Sequence, residues 1–205
     1  MRSLIINCYM NPTEINELFS AIKRLSECHI VHYKEINNKD QIKNDFDAVI
    51  ISGSEARIVH ENHRKMFAKT ADLIRNLEVP TFAVCFGHQL LCWTFGAEVS
   101  SLSKPIKDEF ERIKIIEFDE IFDGFESRHI LLAEWHNDYV IKRGVNEAGF
   151  VLLADSESCE VEAVKHIKKP FYGVQFHPER IKIQNEVHVE GQLIIENFYE
   201  KVVRR

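Results

Sequence analysis

Three side chains with the chemistry needed for acyl transfer stand at the ends of apolar runs. Cys85 follows the run Thr81–Val84 and precedes a helix-like stretch, while His177 and Glu179 follow the apolar residues 171–176. A helix N-terminus favours the thiolate, and an imidazole can take and return a proton. A carboxylate can hold the second ring N–H and fix the tautomer. Nucleophile, base and orienting acid would together form a catalytic triad.

Each feature has a simpler interpretation when it is taken alone. A single cysteine at a strand end is commonly a small buried hydrophobe, and His-Pro-Glu commonly forms a turn. The catalytic interpretation depends on both features lying at the carboxyl ends of strands in one open α/β sheet, where such folds bind ligands. Gly53 ends another strand, and its N–H together with that of Phe86 would form an oxyanion hole there.

Alternating strands and helices must position these residues. Apolar runs predict strands over 4–8, 30–33, 48–51 and 81–84 in the N-terminal half, with helices between them that include residues 62–77 and 87–95. This order is typical of an open, mostly parallel twisted sheet with helices on both faces. After residue 96, short runs predict a small antiparallel strand region, in which the acidic residues 108–111 form a solvated loop. Residues 193–203 predict a closing helix.

Composition narrows the class of protein. The chain has 205 residues, and we expect one domain over 1–205. Its net charge of −6 gives no reason to expect nucleic acid, and no apolar run approaches the about 20 residues that span a bilayer. The first apolar run is too short for a signal peptide. Five scattered cysteines without Cys-x-x-Cys fit a reducing compartment. We therefore expect a cytoplasmic protein that binds no metal, membrane or nucleic acid.

Five segments of the chain resemble the signature segments of one enzyme family. Residues 83–89, Ala-Val-Cys-Phe-Gly-His-Gln, resemble a Gly-x-Cys-x-Gly-His-Gln elbow, and residues 176–179 read Phe-His-Pro-Glu. These two motifs resemble the signatures of the family of class I (triad-type) glutamine amidotransferases. Residues 51–54 are similar to its oxyanion strand, residues 134–138 to its His-Gly-Asp segment and residues 191–198 to its C-terminal helix. The resemblance covers nearly the whole chain in the expected order and implies a flavodoxin-like domain.

The resemblance also implies a reaction. Cys85 attacks the side-chain amide carbon of glutamine, and a γ-glutamyl thioester forms while His177 protonates the departing ammonia. Water activated by His177 then releases glutamate, and Glu179 orients the ring. The N–H groups of Gly53 and Phe86 stabilise both oxyanions, and no cofactor is implied.

Substrate contacts are carried over in the same way. Gln89 helps to hold the substrate, and Asn137 and Asp138 bind its α-amino and α-carboxyl groups. The chain departs from the family pattern at three positions. Ala83 stands where glycine is usual, Ser54 breaks the Gly-Gly-Pro pattern, and Asn137 replaces the glycine of His-Gly-Asp.

The motifs do not identify what receives the ammonia, so three functions stay open. The favoured function is that of a glutaminase subunit that passes ammonia to a separate synthetase chain. The His-Asn-Asp segment and the C-terminal helix favour a subunit of the guanylate synthase type. The alternative is a stand-alone γ-glutamyl hydrolase or peptidase that acts on another γ-glutamyl amide. A non-enzymatic domain that keeps the fold is the third, and the intact Cys85, His177 and Glu179 count against it.

Overall fold

Nine strands form the main sheet of the computed structural model, which describes residues 1–37 and 45–205. In chain order they are β1 (Arg2–Asn7), β2 (Glu27–His32), β3 (Ala48–Ile51), β4 (Thr81–Val84), β5 (Val99–Ile115), β6 (His129–Val140), β7 (Phe150–Asp155), β8 (Ala163–His166) and β9 (Phe171–Val174). Their order across the sheet is β2-β1-β3-β4-β9-β8-β7-β5-β6.

Helices connect and cover these strands. They are α1 (Asn16–Lys23), α2 (Glu61–Met66), α3 (Ala68–Asn76), α4 (Phe86–Thr94) and α5 (Glu190–Asn197), which continues as a π-helical segment over Phe198–Val203. Short 3₁₀ segments lie at Pro12–Ile15, Tyr33–Glu35 and Glu120–Phe122. In the two described ranges, no helix is long and apolar enough to cross a membrane.

The sheet changes direction at β9. Strands β2, β1, β3, β4 and β9 pair in parallel. From β9 through β8, β7 and β5 to β6 the pairing is antiparallel. The predicted fold class, a parallel twisted sheet with helices on both faces and an antiparallel addition, is confirmed. The antiparallel strands continue the same sheet, and a separate two-stranded hairpin is formed by β10 (Lys182–Ile183) and β11 (Glu186–Val187).

Two apolar cores lie on the two faces of the sheet. Successive strand side chains point to opposite faces, so Leu4 and Ile6 of β1 join one core while Ile5 joins the other. Helices α3 and α4 cover the first core, and α1 and α5 cover the second. Burial on both faces explains why β1, β3 and β4 are nearly continuous apolar runs rather than alternating ones.

Two features differ from the sequence predictions. The helix predicted over 62–77 is interrupted at Phe67, where the backbone leaves helical geometry (φ −97°, ψ 8°). The ring of Phe67 is fully buried between the rings of Tyr33 and Phe86, so the residue at the helix break packs in the core. The prediction of a solvated loop over 108–111 is wrong, because these residues lie inside β5. They pair with β6 around a bulge at Asp108, whose φ is +53°.

Candidate active site

Cys85 occupies a strained turn between β4 and α4. Its backbone has φ 51° and ψ −108°, although it is not a glycine, and its N–H donates to the carbonyl of Val174 at 2.8 Å. A non-glycine residue in such a conformation costs roughly 1–3 kcal/mol and is typical of functional sites. The strand-to-helix turn is that of a nucleophile elbow. The methyl group of Ala83 is accommodated within the buried core.

Gly87 allows α4 to begin directly against the end of β3. A Cβ added to this glycine would stand 2.5 Å from the carbonyl oxygen of Ile51 and 2.9 Å from that of Ser52. Both contacts are to backbone, so neither neighbour can rotate away. The close approach brings the first turn of α4 beside the residue that follows, Gly53. The N–H of Phe86 belongs to that first turn, whose amides have no intrahelical partner.

His177 and Glu179 follow β9, the strand that pairs with β4. His177 Nδ1 lies 2.9 Å from Glu179 Oε1, and the backbone N–H of His177 donates to the carbonyl of Ala133 on β6 at 2.8 Å. Both side chains are almost completely buried. Cys85 lies close enough to this ring to be one of the groups that raise the pKa of His177. The three residues that the sequence predicts as a triad therefore meet in the structure.

The charge state of His177 is set by competing effects. Burial lowers the pKa of its ring, but the negative charges of Glu179 and Cys85 raise it, and hydrogen bonds to the same two groups raise it further. The net result is a pKa of about 10 for His177. The ring is therefore an imidazolium at neutral pH, which is the form that can donate a proton to a leaving group.

Two further groups contact the Cys85 sulfur. Its Sγ lies 3.6 Å from the carbonyl oxygen of Trp135, and Gln175 Nε2 donates to it at 3.6 Å. Gln175 Oε1 in turn accepts from Gln89 Nε2 at 3.1 Å, and the same nitrogen donates to the carbonyl of Asp138 at 2.8 Å. The Gln89 side chain is therefore part of a network that reaches the nucleophile.

The Asp138 side chain lies in an ion pair. Arg57 Nε lies 3.2 and 3.1 Å from its two carboxylate oxygens, and Arg57 Nη2 lies 2.5 Å from Oδ1. The guanidinium also donates to Ser101 Oγ at 2.8 Å. Asp138 is buried, whereas Asn137 is half-buried on the opposite face of β6. The pair ties the loop after β3 to β6.

Gly53 lies against the predicted base. A Cβ on Gly53 would stand 2.7 Å from the hydroxyl oxygen of Tyr9 and 3.3 Å from Cε1 of His177. The hydroxyl of Ser52 donates to the Gly53 carbonyl at 2.8 Å and accepts from the Cys8 N–H at 2.8 Å. These bonds fix the backbone beside the glycine.

Other residues of the elbow helix have structural surroundings. Cys92 is completely buried in the core, and burial raises the pKa of its thiol. His88 is also fully buried, and burial lowers its pKa to about 3, so its ring is neutral. Its Nδ1 lies 2.5 Å from the position of a Cβ on Gly173, which explains the glycine on β9.

Sequence reasoning misses three contributors to the site region. Gln175 stands immediately before the Phe-His-Pro-Glu motif, and that position is its one available signal. Tyr9 and Arg57 come from loops after β1 and β3, where no spacing marks them.

Comparison with known sequences finds relatives that share one description. The A subunit of a glutamine-hydrolyzing GMP synthase from Methanothermobacter thermautotrophicus is 40% identical over 131 residues, which cover 63% of this chain and 64% of that protein. The protein of the same description from Methanosarcina acetivorans is 31% identical over 186 residues, covering 84% of this chain and 89% of its own length.

Solved structures match almost the whole fold. A candidate A subunit of GMP synthase from Thermoplasma acidophilum superposes with a TM-score of 0.80 at 23% identity, covering 97% of this chain and 92% of its own. A glutamine amidotransferase from Thermotoga maritima has a TM-score of 0.79 at 15% identity, covering 100% and 99%. The family model described as glutamine amidotransferase class-I matches residues 4–202. The chain therefore belongs to the class-I glutamine amidotransferase family.

Proposed function

We propose that this chain, as a single domain over 1–205, is a glutaminase subunit that hydrolyses the glutamine side-chain amide and supplies ammonia to a separate synthetase chain of the GMP synthase type. One observation carries the proposal. Cys85, whose backbone has a positive φ, lies beside the ring of His177, and that ring contacts the Glu179 carboxylate. The relatives described as A subunits of GMP synthase support the choice of acceptor, at 31% to 42% identity.

Acylation uses the two charged partners of the triad. The Cys85 thiolate attacks the amide carbon of glutamine, and the carbonyl π bond becomes an oxyanion. The His177 imidazolium then gives its proton to the amide nitrogen as the C–N bond breaks, so ammonia leaves and a γ-glutamyl thioester remains. Glu179 accepts a hydrogen bond from the Nδ1–H of His177, which leaves Nε2 to exchange the proton with the substrate.

Deacylation reverses the role of the base. Neutral His177 takes a proton from water as its oxygen attacks the thioester carbon, and a second oxyanion forms. Collapse of this intermediate breaks the C–S bond, releases glutamate and returns the thiolate with its imidazolium partner. We assign the N–H groups of Gly53 and Phe86 to both oxyanions. The support is that Gly87 lets the first turn of α4 meet the end of β3.

The substrate-binding roles of Gln89, Asn137 and Asp138 are also part of the proposal. Gln89 joins the network that reaches Cys85, so it can position substrate and nucleophile together. The Asp138 carboxylate is held by Arg57, so contact with an α-amino group requires the carboxylate to be shared between the two cations. Asn137 lies on the same strand and is more accessible.

The test compares the chain alone with the chain plus its synthetase. Glutamate release from glutamine is measured for the purified chain with and without the separately purified synthetase chain of the same organism. We expect slow hydrolysis alone and stimulation of at least about fivefold with the partner. GMP formation from glutamine should require this chain, while added ammonium chloride should bypass it.

A panel of γ-glutamyl amides and peptides separates the alternative function. Cleavage of one of these compounds without a partner, faster than glutamine, would make the chain a stand-alone γ-glutamyl hydrolase. The Cys85→Ser chain is the control for both assays. It should support GMP formation from ammonium chloride by the synthetase but not from glutamine.

A further inference from the structure

Three titratable side chains form a closed cluster in the protein interior. Glu134 and His136 lie two residues apart on β6 and point to the same face, and Glu162 lies immediately before β8. Their exposed fractions are 1%, 3% and 0%. Each offers one ligand atom, and these atoms all lie within 4.8 Å of one another. Within residues 1–37 and 45–205, this is the one group of at least three such side chains.

The cluster leaves polar atoms without partners. Both carboxylate oxygens of Glu134, one of Glu162 and Nε2 of His136 have no hydrogen-bond partner within the described parts of the chain. No lysine or arginine of those parts forms an ion pair with either carboxylate; the one ion-pair contact is the 3.3 Å approach of His136 Nε2 to Glu134 Oε2. Buried polar atoms in native proteins are normally paired, and buried charges are normally compensated.

The histidine directs one ring nitrogen at the carboxylates of the cluster. His136 Nδ1 lies 2.9 Å from the carbonyl oxygen of Asp138, which can only accept, so Nδ1 carries the hydrogen. Nε2, on the other side of the ring, is aimed into the cluster: it lies 3.3 Å from Glu134 Oε2 and has no hydrogen-bond partner among the described residues. A ring that donates one N–H to a backbone carbonyl and offers its other nitrogen is the usual arrangement of a metal-binding histidine.

The distances and donor types fit a cation. Two ligand atoms of a tetrahedral ion with bonds of about 2.0–2.1 Å stand about 3.3 Å apart. His136 Nε2 and Glu134 Oε2 are separated by 3.3 Å. Carboxylate oxygen and imidazole nitrogen together suit zinc, manganese, iron and cobalt ions. We propose that Glu134, His136 and Glu162 bind one divalent transition-metal ion in the interior beside the nucleophile.

The position of this site relates it to Cys85. Trp135 stands between the two β6 ligands, and its carbonyl oxygen is one of the two groups that lie 3.6 Å from Cys85 Sγ. An ion that joins β6 to the start of β8 would fix the strand that contacts the sulfur. The metal site goes beyond the proposed function and does not rest on it, because metal content is measured without any assay of glutamine hydrolysis.

Metal content of the full chain is the first test. The protein is expressed in medium supplemented with zinc, purified without chelator, and analysed by inductively coupled plasma mass spectrometry. We expect close to one zinc ion per chain for the wild type and loss of most of it in Glu134→Gln and His136→Asn. Glu157→Gln, which changes an exposed carboxylate near β8, is the matched control and should keep the ion.

The absorption spectrum of the cobalt-substituted wild type reports the type of ligand, and it does not depend on whether a variant folds. Wild-type protein grown with cobalt should show visible d–d absorption without the thiolate-to-cobalt charge-transfer band. A charge-transfer band would place the ion on a cysteine and overturn the proposal. Wild-type protein that retains no metal would also overturn it and would leave the two glutamates sharing a proton. Metal content unchanged in Glu134→Gln would likewise overturn it.

Discussion

His177 Nδ1 lies 2.9 Å from Oε1 of Glu179, two residues further along the chain, and both side chains are nearly closed to solvent. The negative charge of Glu179 is one of the two charges that hold the pKa of His177 at about 10, against the opposing effect of burial. The state of the triad at neutral pH therefore depends on a carboxylate that is assigned no contact with the substrate.

Glu179→Gln should move the alkaline limit of activity to lower pH. In the wild type, the imidazolium that protonates the departing amide nitrogen is lost only as pH rises through about 10. Without the carboxylate charge the pKa of His177 falls towards its ordinary value of about 6.5. The measurement is kcat/KM for glutamine against pH. Glu179→Asp, which keeps the charge, is the control; superimposable profiles for wild type and Glu179→Gln would contradict the role given to Glu179.

Removing the base should cost more activity than removing its partner. His177→Ala eliminates the proton donor, whereas Glu179→Gln leaves it present but less favourably charged. We expect kcat at neutral pH to fall in the order wild type, Glu179→Gln, His177→Ala. The reverse order for the two variants would exchange the assigned roles.

Cys85→Ser should abolish glutamine hydrolysis. A hydroxyl is a far weaker nucleophile than a thiolate, and a loss of about a thousandfold or more is expected. The half-exposed Cys28 supplies the control, since Cys28→Ser removes a thiol from β2 without touching the site. A glutamine-like diazoketone should label Cys85 in preference to the other four thiols. Peptide mapping that finds the label on Cys28 or Cys159 would refute the elbow assignment.

Gly53→Ala should reduce activity through crowding that a second change relieves. The added methyl group would stand 2.7 Å from the Tyr9 hydroxyl and 3.3 Å from His177 Cε1. Tyr9→Phe removes the closer atom. We therefore expect kcat of the double variant to exceed that of Gly53→Ala, with Tyr9→Phe alone as the reference. A double variant no better than Gly53→Ala would show that the loss does not come from the Tyr9 hydroxyl, which leaves His177 Cε1 and the Tyr9 ring carbon, both at 3.3 Å, and the glycine backbone itself.

Gly87→Ala should destabilise the fold, and no second side-chain substitution should restore the lost stability. Its methyl group would meet the carbonyl oxygens of Ile51 and Ser52, which are backbone atoms and cannot rotate away. Overpacking of this kind costs typically about 1–3 kcal/mol of unfolding free energy. Urea denaturation measures the change. Gly96→Ala, where nothing lies within 4 Å of the added Cβ but φ is +106°, shows the cost of backbone strain alone.

The parallel half of the sheet and the meeting of Cys85, His177 and Glu179 are predictable because their sequence signals are local. Fully buried strands such as β3 and β4 are continuous apolar runs, and the motifs around Cys85 and His177 are contiguous in sequence. The long β5–β6 hairpin is not predictable in the same way. Its strand β5 is mostly exposed and rich in charged residues, so the partner strand, rather than its own composition, determines its extended conformation.

Contacts between distant residues account for the rest of what the sequence does not show. Arg57 meets Asp138 across 81 positions, and Glu162 meets Glu134 across a change of strand. Neither pair has a spacing that marks it. The roles assigned to the site residues stay predictions, as do the domain bounds. These roles are catalysis by Cys85, His177 and Glu179, oxyanion binding by Gly53 and Phe86, and substrate binding by Gln89, Asn137 and Asp138.

The pairing of β4 with β9 has a consequence for when the protein becomes reactive. Its register joins Val84 to Val174, so the nucleophile and its base are neighbours only after a loop of about ninety residues has closed. Long-range pairings of this kind slow folding, because a long loop loses entropy on closing before the contacts form. In a chain that has not yet closed this loop, Cys85 has no imidazolium beside it. Assembly of the nucleophile with its base therefore depends on the completed pairing of β4 with β9.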